Sequence, residues 1–421
     1  MATARTFQDM LNDYLTNPLL KEELVKRDYL LTNIEKKDDW KTGDLIVPFK
    51  GAGASSIRFG SLSDENDIAE DKYVRGSVTA PAEVWGTMKF KQRDLIEHDV
   101  ISEQNFLKLL PETIEDFMDN YKNTVSIALM NGAHIVKVTN IDNAATGSIT
   151  VDRPERLMID QKLVFDDDDN SPSDGNSFVK TIIMDTGVIT LVTVRGGSVA
   201  DDLSATLDDL AKDPKAYNED AKDNSFTSLR DSMLSAANGG STTLYGQTKT
   251  AFPYLQSINV DGGVAGKNVT SASLLQNLFD TVTDIENRGR GRITDIVMSY
   301  KNFGAAVKNI ENSKGDFNVT PGSRSAMQFG WREIEVGSVT GHLLKLVGVQ
   351  EMDDDIIMFI DWRALSFHSN GFIRKHKDPD GNEFHKIRAT TGYSYLIDIY
   401  LFGELVLKRP SFTGILHSIS F

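Results

Sequence analysis

The sequence predicts an α+β fold, and three observations carry the prediction. Apolar residues repeat at helical spacing through 102–131, at period two from 135 to 196, and in alternating helical and strand-like segments from about 246 onward. At 421 residues the chain is long enough for two or three domains. Its 40% hydrophobic and 25% charged residues suit a globular protein. Cysteine is absent, which removes disulfides, thiolate catalysis and cysteine-bound metals. A net charge of −16 argues against a protein that tracks nucleic-acid phosphates. No apolar run is long enough to span a membrane, and the opening MATARTFQDMLNDYLTN lacks the apolar core of a signal peptide.

Taken in order, FQDMLNDYL places Phe7, Met10, Leu11, Tyr14 and Leu15 on one helical face. Residues 44–100 then read as extended. DLIVPFKGAGASSIRFGSL is β-rich and broken by glycines, and the following stretch alternates through Val78, Val84, Met88 and Phe90. So much strand with so few aliphatic pairs suggests an arm that packs on something else. The strongest helix follows, with Ser102 as N-cap and Pro111 opening a second helical stretch of one long rod. Ile114, Phe117, Met118, Tyr121, Val125 and Leu129 form its apolar face. Glu112, Glu115, Asp116 and Asp119 lie in the first turns after Pro111, where the helix dipole favours anions, and Asn131-Gly132 closes it.

SITVDRPERLMIDQKLVF and SFVKTIIMDTGVITLVTV form two strand groups of a small β domain, the second turning at Asp185-Thr186-Gly187. Short polar helical pieces lead to Asn238-Gly239-Gly240. In the last part, Leu274, Leu275, Leu278, Val282 and Ile285 face inward from one helix. Phe303, Ala306, Val307 and Ile310 do so from a second, capped by Ser299. The segments ITDIVMS, WREIEVG, HLLKLVGV, DIIMFID and YSYLIDIYLFGELVL are strands, and KDPDGNEF is a hairpin turn at Pro379 to Asn382.

The search for chemistry returns no catalytic, cofactor-binding or metal-binding residue. VFDDDDNSPSDGN invites a calcium reading, and from Asp166 the oxygens of Asp168 and Asn170 fit an EF-hand loop. The diagnostic glycine and glutamate positions are instead Ser171 and Ser177, so Asp166 to Asp169 read as a solvated loop. The histidines at 98, 134, 342, 368, 376, 385 and 417 form no metal-binding pair. GAGASS, Gly51 to Ser56, runs on into strand where a phosphate loop needs a helix N-terminus. RGRGR, Arg288 to Arg292, suits a helix C-terminus, and Asp353-Asp354-Asp355 a turn into a strand. Trp85, Trp331 and Trp362 fall in strand-like stretches and read as packing. No GxSxG, SxxK or Walker pattern occurs.

The order of the pieces resembles the major capsid proteins of tailed bacteriophages, the Hong Kong phage type of fold, whose architecture herpesvirus floor domains and encapsulin shells share. LYGQTKTAFPYLQSINVDGG resembles the stretch that leads such coats into their axial domain. FGWREIEVGSVTGHLLKLVGVQEMDDDIIMFIDWRALSF is similar to their strand pattern, with an acidic turn before an apolar strand that ends in Asp361. YLFGELVLKRPSFTGIL resembles their closing strand, with its basic-proline corner at Lys408, Arg409 and Pro410.

The resemblance implies an N-terminal arm (1–43), an extended β loop (44–100), a peripheral domain with a spine helix (101–134) and an inserted β domain (135–196). A peripheral connection (197–245), an axial α+β domain (246–365) and returning strands (366–421) complete it. It implies a non-enzymatic coat protein without cofactor, forming hexamers and pentamers of an icosahedral shell around double-stranded DNA. The expected setting is the virion capsid, assembled in the host cytoplasm. Expected partners are a separate scaffolding protein, a portal and room for a decoration protein, with no sequence-specific DNA binding and no membrane. With only some 40 residues before the extended loop, no fused scaffolding segment is expected. Lys89 and Lys91 lie where some relatives crosslink, but no acceptor is identifiable. The alternatives are an encapsulin-like compartment and, from another class, a metal-dependent enzyme or calcium-stabilised adhesin.

Overall fold

A computed structural model describes residues 29–40, 43–52, 72–78, 81–91, 103–165, 177–199, 215–263, 266–289, 291–312, 333–337, 343–371, 374–376, 385–389 and 392–421. The chain divides into two units, one of residues 1–126 and 229–421 and one of residues 127–228. In chain order the first part of the larger unit holds α1 (Tyr29–Asn33), β1 (Glu35–Lys37), β2 (Leu45–Ala52), β3 (Lys72–Val78), β4 (Ala82–Lys91) and most of α2 (Glu103–Asn131). The smaller unit holds β5 (His134–Asn143), β6 (Ser148–Val151), β7 (Lys162–Leu163), β8 (Ser177–Ile183), β9 (Val188–Val192), β10 (Lys215–Tyr217) and α3 (Ala221–Asn224).

The larger unit resumes with α4 (Leu229–Met233), β11 (Thr243–Leu244), β12 (Gln247–Thr248), β13 (Ile258–Asp261), α5 (Leu274–Gly289), β14 (Asp295–Ser299) and α6 (Tyr300–Asn312). Next are β15 (Glu333–Gly337), β16 (Leu343–Val349), β17 (Ile357–Ile360) and β18 (Leu365–Ser369). Last come β19 (Arg374–Lys375), β20 (His385–Ala389), β21 (Gly392–Leu407) and β22 (Gly414–His417).

One sheet of the larger unit runs β13-β22-β17-β14-β16-β15. The pairs β13–β22 and β14–β16 are parallel and the rest antiparallel. Every residue of β14, β17 and β22 is buried, which is why these strands read as apolar runs and not as alternations. Leu274, Leu278, Val282 and Ile285 of α5 and Phe303 and Ala306 of α6 pack into one core with Ile296, Phe359 and Leu416, the inward faces their spacing predicts. The Ser299 hydroxyl accepts from the Asn302 amide at 3.4 Å, so the predicted cap closes the start of α6.

A second sheet is built on the long strand β21. β20, β19 and β18 pair in succession with one edge of β21, and β4 pairs with the other from Ala82 to Lys91. β1 extends this sheet parallel to β18. The predicted hairpin turn at Pro379 to Asn382 lies outside the described residues. β19 and β20 both pair antiparallel with β21, and Ala389 at the end of β20 stands opposite Gly392 at the start of β21. The residues of KDPDGNEF themselves lie outside the described residues.

The helix α2 is continuous through Pro111 and ends at Asn131, with Gly132 at φ +110 and its amide bonded to the Ala128 carbonyl. Met118, Tyr121, Val125 and Leu129 are buried as their spacing predicts. Gly86 of β4 permits close approach of the sheet: a Cβ there would lie 2.8 Å from the Tyr121 ring and 2.9 Å from that of Phe117. The Tyr121 hydroxyl donates to the Val84 carbonyl, 2.8 Å. The predicted cap Ser102, the helical stretch around Phe7 and the Asp166–Asp169 loop lie outside the described residues.

The smaller unit is an antiparallel sheet of order β10-β5-β6-β9-β8-β7. Ile149, Val151, Leu163, Val179, Ile189 and Leu191 fill its core, while alternate positions remain partly exposed. The predicted turn at Asp185-Thr186-Gly187 joins β8 to β9. Gly187 sits at φ +71, where a Cβ would come within 2.5 Å of the Val151 carbonyl.

Candidate assembly surfaces

The hairpin β2–β3 shows what the alternating sequence of this region does. One face turns Val47, Phe49 and Val78 inward. Phe49 stacks on Tyr245 with ring centroids 5.7 Å apart, and Gly76 leaves room for the Phe49 ring. Tyr245 is buried. Its hydroxyl donates to the Leu405 carbonyl (2.8 Å) and accepts from the Leu407 amide (2.9 Å), and burial pushes its pKa up. The other face presents Ile46, 57% exposed, and Tyr73, 69% exposed, with Arg75 between them. β2 and β3 pair only with each other among the described residues. A two-stranded ribbon of this kind gains little stability by itself.

β4 differs from that hairpin although the sequence runs them together. Val84, Gly86 and Met88 turn inward, and Glu83, Trp85, Thr87 and Lys89 turn outward. Trp85 lies directly across from Tyr400, their rings stacked at 5.0 Å, with His376 edge-on at 5.5 Å. Trp85 is 51% exposed, so this tryptophan is a surface group and not core packing. Trp362 does pack: it meets Tyr29 edge-on, and its indole N–H and the Tyr29 hydroxyl both donate to the buried carboxylate of Asp295. Trp331 lies outside the described residues.

Residues before β2 are tied to the sheet by polar contacts that sequence spacing could not reveal. His368 donates from Nδ1 to Asp39 (2.8 Å) and accepts at Nε2 from the Ser366 hydroxyl (2.9 Å), the tautomer these partners require. Burial lowers its pKa below the ordinary value, and the Lys408 and Lys37 ammoniums add to this against the pull of Asp39. Asp38 accepts from Ser369, and the Trp40 amide donates to the Ser369 carbonyl.

The acidic turn before β17 anchors a cation. Arg230 of α4 donates to Asp353 at 3.2 Å and Asp355 at 3.0 Å, and Asp353 is 1% exposed. Lys249 donates to the carbonyls of Asp231 and Leu234 at the end of α4, and burial pulls its pKa down to about 8. Both groups hold the fold together. Arg288 and Arg292 are exposed at and just beyond the C-terminal end of α5. Of the histidines, 134, 368 and 417 are buried and stand in different strands, and among the described residues no three His, Asp or Glu groups converge to hold a metal.

These surfaces belong to a known architecture. A cyanophage A-1(L) capsid structure aligns over 100% of this chain and 95% of its own, with a TM-score of 0.51 at 10% identity. The capsid of a native GTA particle aligns over 93% and 90%, with a TM-score of 0.46 at 11% identity. A structure of Gordonia phage Cozz aligns over 100% and 97%, with a TM-score of 0.41 at 12% identity. No protein-family model matches the sequence, and no curated protein matches it. The first likeness carries the conclusion: the chain has the α+β major capsid fold of tailed bacteriophages, as the order of its pieces predicts.

Proposed function

We propose that the chain is a structural coat subunit that self-assembles into hexamers and pentamers of an icosahedral shell around the double-stranded DNA of a tailed phage. The observation that carries this reading is the fold shared with a phage capsid along the whole chain. A second feature suits it: the hairpin β2–β3 and the Trp85–Tyr400 face leave large apolar side chains uncovered in the single subunit. Neighbouring subunits would cover them, at interfaces of at least ~1,200 Å². The reading makes the subunit non-enzymatic and places it in the virion, assembled in the host cytoplasm with a separate scaffolding protein and a portal. The net charge of −16 suits a wall beside packed DNA, since it does not adhere to phosphate. The extended loop is taken as an assembly arm, of which the outer face of β2–β3, with Ile46 and Tyr73, is the part left for a neighbour to cover.

Electron microscopy of the expressed chain tests the reading. Shells, tubes or hexameric capsomers are expected, and a uniform monomer that persists with its scaffolding protein present would overturn it. The variant Ile46→Ser/Tyr73→Ser, altered only on the exposed face, should stay folded and lose assembly. Normal shells from it would remove the hairpin from the interface. Protein cargo in place of DNA inside native shells would favour a compartment of the encapsulin kind.

A further inference from the structure

One end of the sheet β13-β22-β17-β14-β16-β15 displays cations. β14 and β22 both run antiparallel to β17, so both begin at that end. Arg288, in the last turn of α5, and Arg292 lie on the chain that leads into β14, and Arg409 lies on the chain that leads into β22. The two leads touch. A Cβ on Gly291 would come within 2.5 Å of the Phe412 carbonyl oxygen, and the Arg409 guanidinium lies over the Phe412 ring, 5.2 Å from its centroid. Arginines far apart in sequence are thus gathered around one contact.

All three arginines are exposed, and among the described residues none of them forms an ion pair with a carboxylate. The acids at this end are committed or outnumbered. Asp295 is buried and accepts from Tyr29 and Trp362, and Asp361 is buried and paired with Arg363. Asp284 and Glu286, in the last turns of α5, are half-buried, against Arg288, Arg292, Arg409 and the half-buried Lys408. The helix dipole accounts for Arg288 but not for the other two. Arg292 lies beyond the helix, and Arg409 precedes the helical turn Pro410–Phe412, where peptide dipoles disfavour a cation.

In a chain of net charge −16, exposed arginines that neither pair nor cap point to a ligand of opposite sign. The guanidinium fork suits phosphate oxygens as well as carboxylates. The apolar side chains beside the arginines decide between these: Ile285 and Ile293 are buried and Phe412 is half-buried. The patch therefore offers charge without the exposed apolar centre of a protein interface, which favours a phosphate backbone over a polypeptide.

We propose that Arg288, Arg292 and Arg409 form a contact for the phosphate backbone of double-stranded DNA, made without regard to base sequence. The choice of duplex DNA rests on the shell reading, whereas the patch itself does not. The acidity of the rest of the chain repels phosphate and confines the contact to this end of the sheet.

The test uses the full chain and the variant Arg288→Gln/Arg292→Gln/Arg409→Gln, both kept unassembled by dilution and compared by thermal melting to confirm the fold. The probe is a fluorescein-labelled duplex of mixed sequence at low salt, followed by anisotropy, with polyglutamate as the alternative ligand. The wild-type chain should bind the duplex at least about tenfold more tightly than the variant does. Its log affinity should fall with log salt more steeply than the variant's, by about 0.9 for each arginine removed. A duplex of unrelated sequence should bind alike. Equal binding of the duplex by the two proteins, or none by the wild type, would overturn the proposal. A preference of the wild type for polyglutamate of equal charge would also overturn it, because the patch would then belong to an acidic polypeptide. Electron microscopy scores assembly in parallel, so shells that form from a wild-type chain without the DNA contact sink this inference and leave the shell reading standing.

Discussion

The sheet β13-β22-β17-β14-β16-β15 and the sheet of the smaller unit each have six strands, yet their sequences are written differently. In the first, the four residues of β17 and the five of β14 are all buried. In the second, β6 and β9 alternate between buried and partly exposed positions. The first contains parallel pairs and is covered on both faces; the second is wholly antiparallel and is wetted on one. The difference teaches where each sheet tolerates change. A layer buried on both faces has no position at which volume or polarity is free. A one-sided sheet can vary its outer face and its turns without altering its core.

The largest expected effect follows directly. Phe359→Ala in β17 removes a fully buried ring from the core against α5 and α6, and should cost about 3–5 kcal/mol in chemical denaturation. Ile183→Thr, on the exposed part of β8, should change stability by no more than ~0.5 kcal/mol. Similar losses at the two sites would erase the distinction between the sheets.

Ion pairs sharpen it next. Arg230→Ala leaves the buried Asp353 carboxylate without its cation at the entrance to β17, an expected loss of about 3–5 kcal/mol. Lys162→Ala in the smaller unit breaks a pair with Glu219, which is largely exposed, and should cost less than ~1 kcal/mol. Thermal melting of both variants checks the contrast.

The smallest effect is the dependence on pH. His417, at the end of β22, is buried, with Nδ1 in contact with the Ser418 hydroxyl and Arg230, Asp261 and Asp355 around it. Burial lowers its pKa and Arg230 adds to this, against the two carboxylates. A histidine whose folded pKa lies below the unfolded one contributes stability above the unfolded value of ~6.5, and that contribution is lost as pH falls. His417→Gln should therefore flatten the decline in stability between neutral and mildly acidic pH. His368 acts in the same direction, so part of the slope should remain. An unchanged slope would mean that His417 does not titrate differently on folding.

Helix ends and turns were legible in the residues themselves: Asn131-Gly132 closes α2, Ser299 caps α6, and Gly187 turns β8 into β9. These features depend on a few neighbouring residues and on local conformational preference, which a sequence displays directly. The interactions that reading missed join distant positions. Neither Asp39 with His368 nor Arg230 with Asp353 is marked by any spacing, and the exposure of Trp85 depends on what fails to cover it.

By itself the sequence determined which segments are helix or strand, which face of each is apolar, and the α+β order that matches a phage capsid. Only the tertiary structure decided that β4 leaves the hairpin beside it to join β21, across some 300 residues of chain, and that β13 lies parallel to β22. The reason is physical. Periodicity states that a strand has a face to bury, but every apolar strand edge offers the same backbone donors and acceptors. The choice among them is made by packing at a distance, as when Gly86 admits Tyr121 against the sheet.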